Sequence, residues 1–556
     1  GRPGTGKTAV ALHRAAYLLY TNRERLAKAG VLVVGPSHSF MWYIERVLPS
    51  LGETGVVMAS LATLYPGLRA VPENDRRIAA LKGDLRMVEV IKKAVEDRQK
   101  VPEREQRLNV EGTDVVLTPQ MVRSARSRAR ATGKPHNEAR ETFVKILLKE
   151  LTSVLDDQLN KAAGRIVERP YLQDDVRASL DVRRALNLAW MPLSPETLVR
   201  SLFSKQQYLE SATQNFTEAE RELLKRPADA PLTEADVPLL DEAAELLGDF
   251  SRVTGAAAAA RAEAEHRANL ENASKALENV HQTLADIGAD GVVTAEQIAA
   301  LNEVGINRMT AAAAAQADRT WAYGHIVVDE AQELSPMQWR LLMRRCPMKS
   351  FTVVGDIAQA SSASAASSWS QALEPFVGER FTLDELTINY RTPAQIADAA
   401  VAVAREAGYE VSAPRAVREG QWAPFIHRVP QEHVVAETVQ RVSDEVALGD
   451  GALIGVVCSP AQYTQVARAV METHADRTGT AEDAVENQVL VLTPWEAKGL
   501  EFDVVIIVEP QQLLDDAQGA VGDLYVSMTR PTQRLHLVGT SMPAGLGAEA
   551  VGSAQS

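Results

Sequence analysis

The sequence predicts an α/β chain of two parallel-sheet domains, the first interrupted by a large, mainly helical insertion. Three observations predict it. A Gly-rich loop, Gly1–Thr8, runs directly into a strong helix former at Ala9–Tyr20. Short apolar runs ending in a turn or in carboxylates follow at Val31–Pro36 and His325–Glu330. A later series, at 423–428, 452–458, 489–493, 503–508 and 534–538, alternates with helical patterns, as crossover-connected parallel strands do.

The opening loop fits G-x-x-x-x-G-K-[S/T], a phosphate-cradling spacing. Gly4, Thr5 and Gly6 form its tight turn, with N–H groups aimed at phosphate oxygens that a Cβ at the glycines would obstruct. Lys7 then reaches the β- and γ-phosphates, and Thr8 offers its hydroxyl to Mg²⁺. The helix that follows adds its positive dipole end at the anion. Such a loop is ordinarily fed by a buried strand. Gly1 opens the sequence without one, so the sequence is expected to be a piece of a longer protein.

At 556 residues the chain is too long for one core. With 46% hydrophobic and 24% charged residues it is globular in composition, and no continuous apolar window reaches membrane-spanning length. No secretory apolar segment is visible. Cys346 and Cys458 are far apart and in no metal-ligand spacing, which suits a reducing cytoplasm. The balance of 59 basic against 73 acidic residues, net −14, leans towards a protein or nucleotide partner and leaves room for a local basic groove.

In chain order, residues 1–70 form the first part of domain one, with a second strand at Val56–Met58. Residues 71–320 are rich in Ala, Glu, Arg, Leu and Lys, broken near Gly133–Pro135, Pro170, Pro192–Pro195 and Pro227–Pro231, and read as a mostly helical insertion. Within it, Ala256–Glu265 reads as a solvated helix. Leu239–Glu242 resembles an acidic strand end, yet Ala243–Gly248 continues it as a helix with a Gly stop, so it is rejected as a metal site. Residues 321–380 complete domain one. There, His325–Val328 carries adjacent carboxylates where a parallel sheet gathers its ligands. Asp329 is expected to hold Mg²⁺ and Glu330 to polarise the attacking water; the bland alternative is the acidic turn that often follows a strand. Gln359 ends the next strand pattern, placed to sense a γ-phosphate. Residues 381–545 form domain two, and 546–556 a flexible tail.

Six ordered blocks resemble a UvrD-like superfamily-one helicase: Gly1–Thr8, Val327–Gln332, Val353–Gln359, Asn389–Thr392, Thr493–Phe502 and Tyr525–Arg530. The resemblance implies two RecA-like domains that sandwich ATP, with GTP as an alternative, and Mg²⁺. It also implies that Tyr390 stacks on adenine, that Glu501 contacts the ribose, and that Arg391 and Arg530 reach the γ-phosphate from the second domain. For either arginine alone, a surface salt bridge is the competing reading.

The departures from that family matter too. Only residues 393–492 separate the Asn389–Thr392 and Thr493 blocks, barely enough to complete domain two without a further inserted domain. Trp495 stands where the family has a strand-contacting His, and Ala360–Ser368 replaces a run containing aromatics and arginine. Stacking platforms and basic track for single strands are therefore thinned. This combination resembles the HelD family in its actinobacterial form, on Thr8–Tyr20, Thr233–Gly248 and Trp321–Arg340. That resemblance implies an ATPase bound to bacterial RNA polymerase core in the cytoplasm, with nucleic acid engaged indirectly or weakly and no membrane. A single-stranded DNA translocase and a nucleotide-controlled polymerase-binding module remain the alternatives. Two acidic stretches, Asp286–Gly291 with Glu296 and Glu303, and Asp156–Asp157 with Asp174–Asp175, are candidates to enter a polymerase channel. The run Arg123–Arg130 reads equally as a nucleic-acid contact or a solvated face.

Overall fold

The structure is a computed structural model that describes residues 7–22, 26, 29–35, 56–163, 171–250, 318–357, 368–386, 388–408, 415–416, 418–479, 487–498, 500–515 and 520–546. The expected helix at 256–265, the acidic stretch at 286–303, and Gly4, Thr5, Gly6 and Gln359 lie outside those residues. The chain divides into two compact units. Unit 1 comprises Gly1–Leu85, Pro231–Pro238 and Ala311–Ser556; unit 2 comprises Arg86–Ala230 and Leu239–Thr310.

Unit 1 contains two parallel sheets. The strands, in chain order, are β1 (Val31–Gly35) and β2 (Val56–Ser60), then in unit 2 β3 (Gln106–Val110) and β4 (Thr113–Leu117). Unit 1 resumes with β5 (His325–Val328), β6 (Phe351–Val353), β7 (Ile388–Asn389), β8 (Arg415–Ala416) and β9 (Phe425–Arg428). It continues with β10 (Ile454–Val457), β11 (Thr478–Gly479), β12 (Val489–Leu492), β13 (Phe502–Val508) and β14 (Pro531–Gly539). The first sheet runs β2-β1-β5-β6 and the second β11-β12-β10-β13-β14-β9, with a small β7–β8 pair besides. All pairings in the two larger sheets are parallel.

Both large sheets are covered on both faces, which is why their strands read as unbroken apolar runs. In the first, Leu32, Val34, Ile326 and Val328 pack with Trp339 and Leu342, while Val31, Val33 and Val327 pack under the first helix, Lys7–Thr21. In the second, Val505, Ile507 and Leu537 meet the Ala394–Glu406 helix, whereas Val504, Ile506 and Val508 share a core with Val434, Val442 and Val466. Gly455 of β10 is required there, since a Cβ would lie 2.9 Å from the Phe502 ring. Cys346 and Cys458 are both buried free thiols, and burial followed by the Glu496 charge pushes the Cys458 thiol up to about 12.

Unit 2 has the β3–β4 antiparallel hairpin and a set of helices including Arg86–Glu96, Pro119–Arg130, His136–Ala163 and Leu180–Ala189. Its core gathers Val115, Val122, Phe143, Leu147, Leu186 and Trp190. The Val237–Leu247 pattern is helical and stops at Gly248, whose φ is +69°. Asp156 and Asp157 lie within the long His136–Ala163 helix, and Asp174 and Asp175 occupy the first turn of Leu172–Ala178, where carboxylates complement the helix dipole. No helix among the described residues is long and apolar enough to cross a membrane.

Candidate nucleotide-hydrolysis site

The site forms at the carboxyl ends of the first sheet's strands. The first helix opens at Lys7, and its buried stripe Ala11, Leu12, Ala15 and Leu19 anchors it to the sheet. Asp329 continues β5, its N–H bonding the Val34 carbonyl at 2.9 Å. The Thr8 hydroxyl donates to Asp329 Oδ2 at 2.5 Å, across a very long sequence separation. Lys7 Nζ lies 3.8 Å from Asp356 Oδ2, beyond the end of β6.

Glu330 takes the left-handed conformation, with φ 48° and ψ 40°. A non-Gly residue adopts this only at a cost, on the order of 1 kcal/mol, and such strain persists where surrounding structure imposes it. Here Glu330's own N–H bonds Asp329 Oδ1 at 2.8 Å, and Gln332 Nε2 donates to Glu330 Oε2 at 2.8 Å. Gln332 Oε1 in turn accepts from the Asp356 N–H at 2.9 Å. Gly355 permits this closeness, because a Cβ would run into Gln332 and the Trp369 ring.

The second sheet contributes cations. Arg530 is buried, and its Nε bonds the Val526 carbonyl at 3.3 Å. Asn389 folds the motif turn by accepting the Arg391 and Thr392 N–H groups at 3.0 and 3.1 Å, and Thr392 donates to the Thr529 carbonyl at 3.1 Å. That bond ties the turn carrying Arg391 to the residue before Arg530. Arg391 is ion-paired with Glu501, and Tyr390 projects its ring outward, 63% exposed. Lys498 is buried between Glu333 (2.9 Å) and Asp523 (3.6 Å), and Asp523 also meets Arg76.

Electrostatics divides the two adjacent carboxylates. Burial, then the neighbouring Glu330 charge, pushes Asp329 up to about 6 against the Thr8 hydrogen bond. Burial opposes ionisation of Glu330 as well, but Lys7, Arg530, the Gln332 amide and Lys498 outweigh it and hold its pKa down. Burial lowers Arg530, opposed by the Glu330 charge. Glu330 is therefore the more readily ionised carboxylate of the pair.

Of the residues read from the sequence, Lys7, Thr8, Asp329, Glu330 and Arg530 come together, with Arg391 and Glu501 joined to one another. Gln332, Glu333, Asp356, Lys498 and Asp523 were missed as functional residues. The signal for the first three was their position within or beside the carboxylate and strand-end blocks. Thr8 and Asp329 supply the hard oxygens Mg²⁺ takes. Among the described residues, no three His, Cys, Asp or Glu side chains are grouped as a metal cage.

Residues 233–365 match the AAA domain family. The matched segment contains Asp329, Glu330 and Asp356, and it supports an AAA-like domain within a chain of mixed α/β architecture. One similar solved structure is the C-terminal domain of a possible DNA helicase from Lactobacillus plantarum WCFS1. It is 20% identical over 29% of this chain and 96% of that one, with a TM-score of 0.23. Another is the PRRSV helicase, 14% identical over 39% of this chain and 35% of that one, with a TM-score of 0.22. This chain thus spans about a third of that helicase. Among curated proteins nothing matches.

Proposed function

We propose that the chain is an ATP-hydrolysing, helicase-like factor whose two large sheets are RecA-like domains and whose unit 2 is the inserted domain. The observation that carries this is the convergence of Thr8 and Asp329, 2.5 Å apart, with an ionised Glu330 whose charge is felt by Arg530. Phosphoryl transfer asks for this set: cations on the phosphates, and a carboxylate to orient the attacking water. Lys7 and Arg530 bear on phosphate charge, Glu330 on water, and Thr8 with Asp329 would hold Mg²⁺, which neutralises charge developing on the β- and γ-oxygens.

The partner we propose is bacterial RNA polymerase core in the cytoplasm, from which the factor clears nucleic acid; the HelD-like blocks support this. Strand translocation is the second reading, and a cavity argues against it. Beside Trp495, where the helicase resemblance expects a strand contact, a cavity of about 410 Å³ is lined by Glu73, Glu234, Glu333 and Glu496 with Arg76 as its one cation. Glu73 and Glu333 are paired with Lys82 and Lys498, so this wall offers a polyanion little beyond Arg76.

The test compares the chain with Glu330→Gln. ATP turnover is expected to stop while nucleotide binding persists, and wild-type turnover in the variant overturns the hydrolytic assignment. Co-migration with purified polymerase core in nuclease-treated samples is expected. Failure to co-migrate, with turnover stimulated by single-stranded DNA, favours the translocase.

A further inference from the structure

Unit 2 carries a cation cluster that the nucleotide site does not use. Gln99 sits at its hub. Its carbonyl accepts from Arg126 Nη1 at 3.0 Å, its side-chain oxygen from Arg130 Nε at 2.5 Å, and its amide nitrogen donates to His136 Nδ1 at 3.1 Å. Arg140 is held by the Trp190 carbonyl and the Asn187 amide oxygen, both at 2.7 Å. Arg98 lies 3.4 Å over the Tyr208 ring, with Lys100 and Lys205 at 5.5 and 5.8 Å from the same ring. Arg123 sits one turn before Arg126 on the Pro119–Arg130 helix, whose other face buries Val122, Ala125 and Ala129.

The partners share one property: the tethering acceptors are neutral. Carbonyl and amide oxygens orient these guanidinium groups without cancelling their charge, and each arginine keeps further N–H donors. Among the described residues none of Arg98, Lys100, Arg123, Arg126, Arg130, Arg140 or Lys205 forms an ion pair, whereas Arg86 in the same unit pairs with Glu220 at 2.9 Å. Their mutual field is visible in their neighbours. His136 falls to about 4 through burial, with the Arg140, Arg130 and Arg98 charges adding to it. Arg126 is lowered by burial, then by Arg130 and Arg123.

Concentrating like charge costs stability unless an anion completes it. Arg98 is buried against Ala94 and Ser201, and of the six other cations four are arginines, whose planar forks suit phosphate. At about 1.5 Å rise per residue, Arg123, Arg126 and Arg130 form a row with steps of roughly 4.5 and 6 Å, suited to a regularly charged chain rather than scattered carboxylates. Arg98 already covers a face of Tyr208, so this ring is not a free stacking platform for bases. We propose that this face of unit 2 is a sequence-independent binding surface for the phosphate backbone of nucleic acid. It lies away from the acidic cavity residues in sequence and owes nothing to hydrolysis at the nucleotide site.

The experiment measures fluorescence anisotropy of a labelled oligothymidine of about 20 nucleotides, and of a duplex of equal length, with the whole chain and no ATP. Salt is varied upward from about 50 mM KCl. For Lys100→Gln/Arg123→Gln/Arg130→Gln, affinity is expected to drop at least tenfold, and the slope of log K against log salt for the single strand to shrink by about 2, three lost contacts at ~0.7 each. The control Lys149→Gln/Lys161→Gln, two exposed cations on the His136–Ala163 helix, is expected to bind as wild type does. If the triple variant melts abnormally, Arg123→Glu gives the same readout, since Arg123 bonds only exposed Gln120, at 3.4 Å. Unchanged affinity and slope overturn the proposal. So does an absence of oligonucleotide binding by the wild type at low salt; polyglutamate binding in that case, lost in the variant, assigns the face to an acidic protein.

Discussion

In unit 1, cations face carboxylates: Lys7 faces Asp356, Lys498 faces Glu333 and Asp523, and Arg391 faces Glu501. Around Gln99, cations face carbonyl and amide oxygens instead. In the first region Lys498, Glu333, Asp523 and Asp356 are buried, so their charges lose hydration and persist only against opposite charge, whereas the Arg391–Glu501 pair is half open. The second is partly open, with Lys100, Arg123 and Arg130 exposed, so water can carry what no carboxylate does. Burial thus sets which kind of partner each region can wait for. On the proposed reading, the candidate nucleotide site would admit a compact anion that exchanges with internal carboxylates, and the unit 2 face would offer its charge to an extended one.

The largest effect expected on this contrast is Arg530→Ala. If Arg530 stabilises charge on the transferring phosphoryl group, turnover falls by roughly 10³–10⁵ while nucleotide affinity moves far less. Rates within a few-fold of wild type would make Arg530 merely a neutraliser of Glu330.

Next is Lys498→Met. It removes the cation paired with the buried Glu333 carboxylate and one of the cations that meet Asp523, for a cost of about 3–5 kcal/mol in unfolding free energy. Adding Glu333→Gln is expected to recover part of that. Arg126→Met, whose partner is a carbonyl, is expected to cost only about 1 kcal/mol. Equal losses in chemical denaturation would break the distinction between paired and neutral tethering.

A pH effect of about 3 kcal/mol is expected from His136. Gln99 Nε2 can only donate and the Met191 carbonyl can only accept, so Nδ1 accepts and Nε2–H donates, an assignment inferred from these partners. The folded pKa of about 4 lies below the usual 6.5, so the unfolded chain binds the extra proton. Stability is therefore full above about 6.5 and declines as pH falls towards 4. His136→Gln is expected to flatten that limb in melts recorded across this range. A limb unchanged by the substitution would place the acid sensitivity in other groups.

The smallest is Thr217→Ala, which removes a capping box with Glu220 in unit 2. It is expected to cost about 1 kcal/mol in stability, with ATP turnover unchanged. A fall in turnover would show that unit 2 stability reaches the hydrolytic residues.

Much of the nucleotide site was legible because it is written in contiguous motifs. Lys7–Thr8 and Asp329–Glu330 lie at element ends, where local spacing already implies orientation. Gln332 and Asp356 were not read as functional, since their bond joins residues after two different strands. The β3–β4 hairpin was likewise hidden inside a segment whose composition reads as helix. In the run Arg123–Arg130 the sequence left a contact and a solvated face equally open. Burial of Val122, Ala125 and Ala129 orients the helix, and Gln99, from a distant turn, selects Arg126 and Arg130.

By itself, the sequence determined the strands of the two parallel sheets except β11, and the carboxylates that follow β5, because apolar periodicity and short motifs act over a few residues. Only the tertiary structure decided which charges meet. Thr8 reaches Asp329, Arg391 reaches Glu501, and Lys498 reaches Glu333 through chain crossings whose geometry comes from sheet order and packing. A side chain's partner, and with it whether a charge is cancelled or kept available, depends on which elements the core brings together; local spacing carries no record of that.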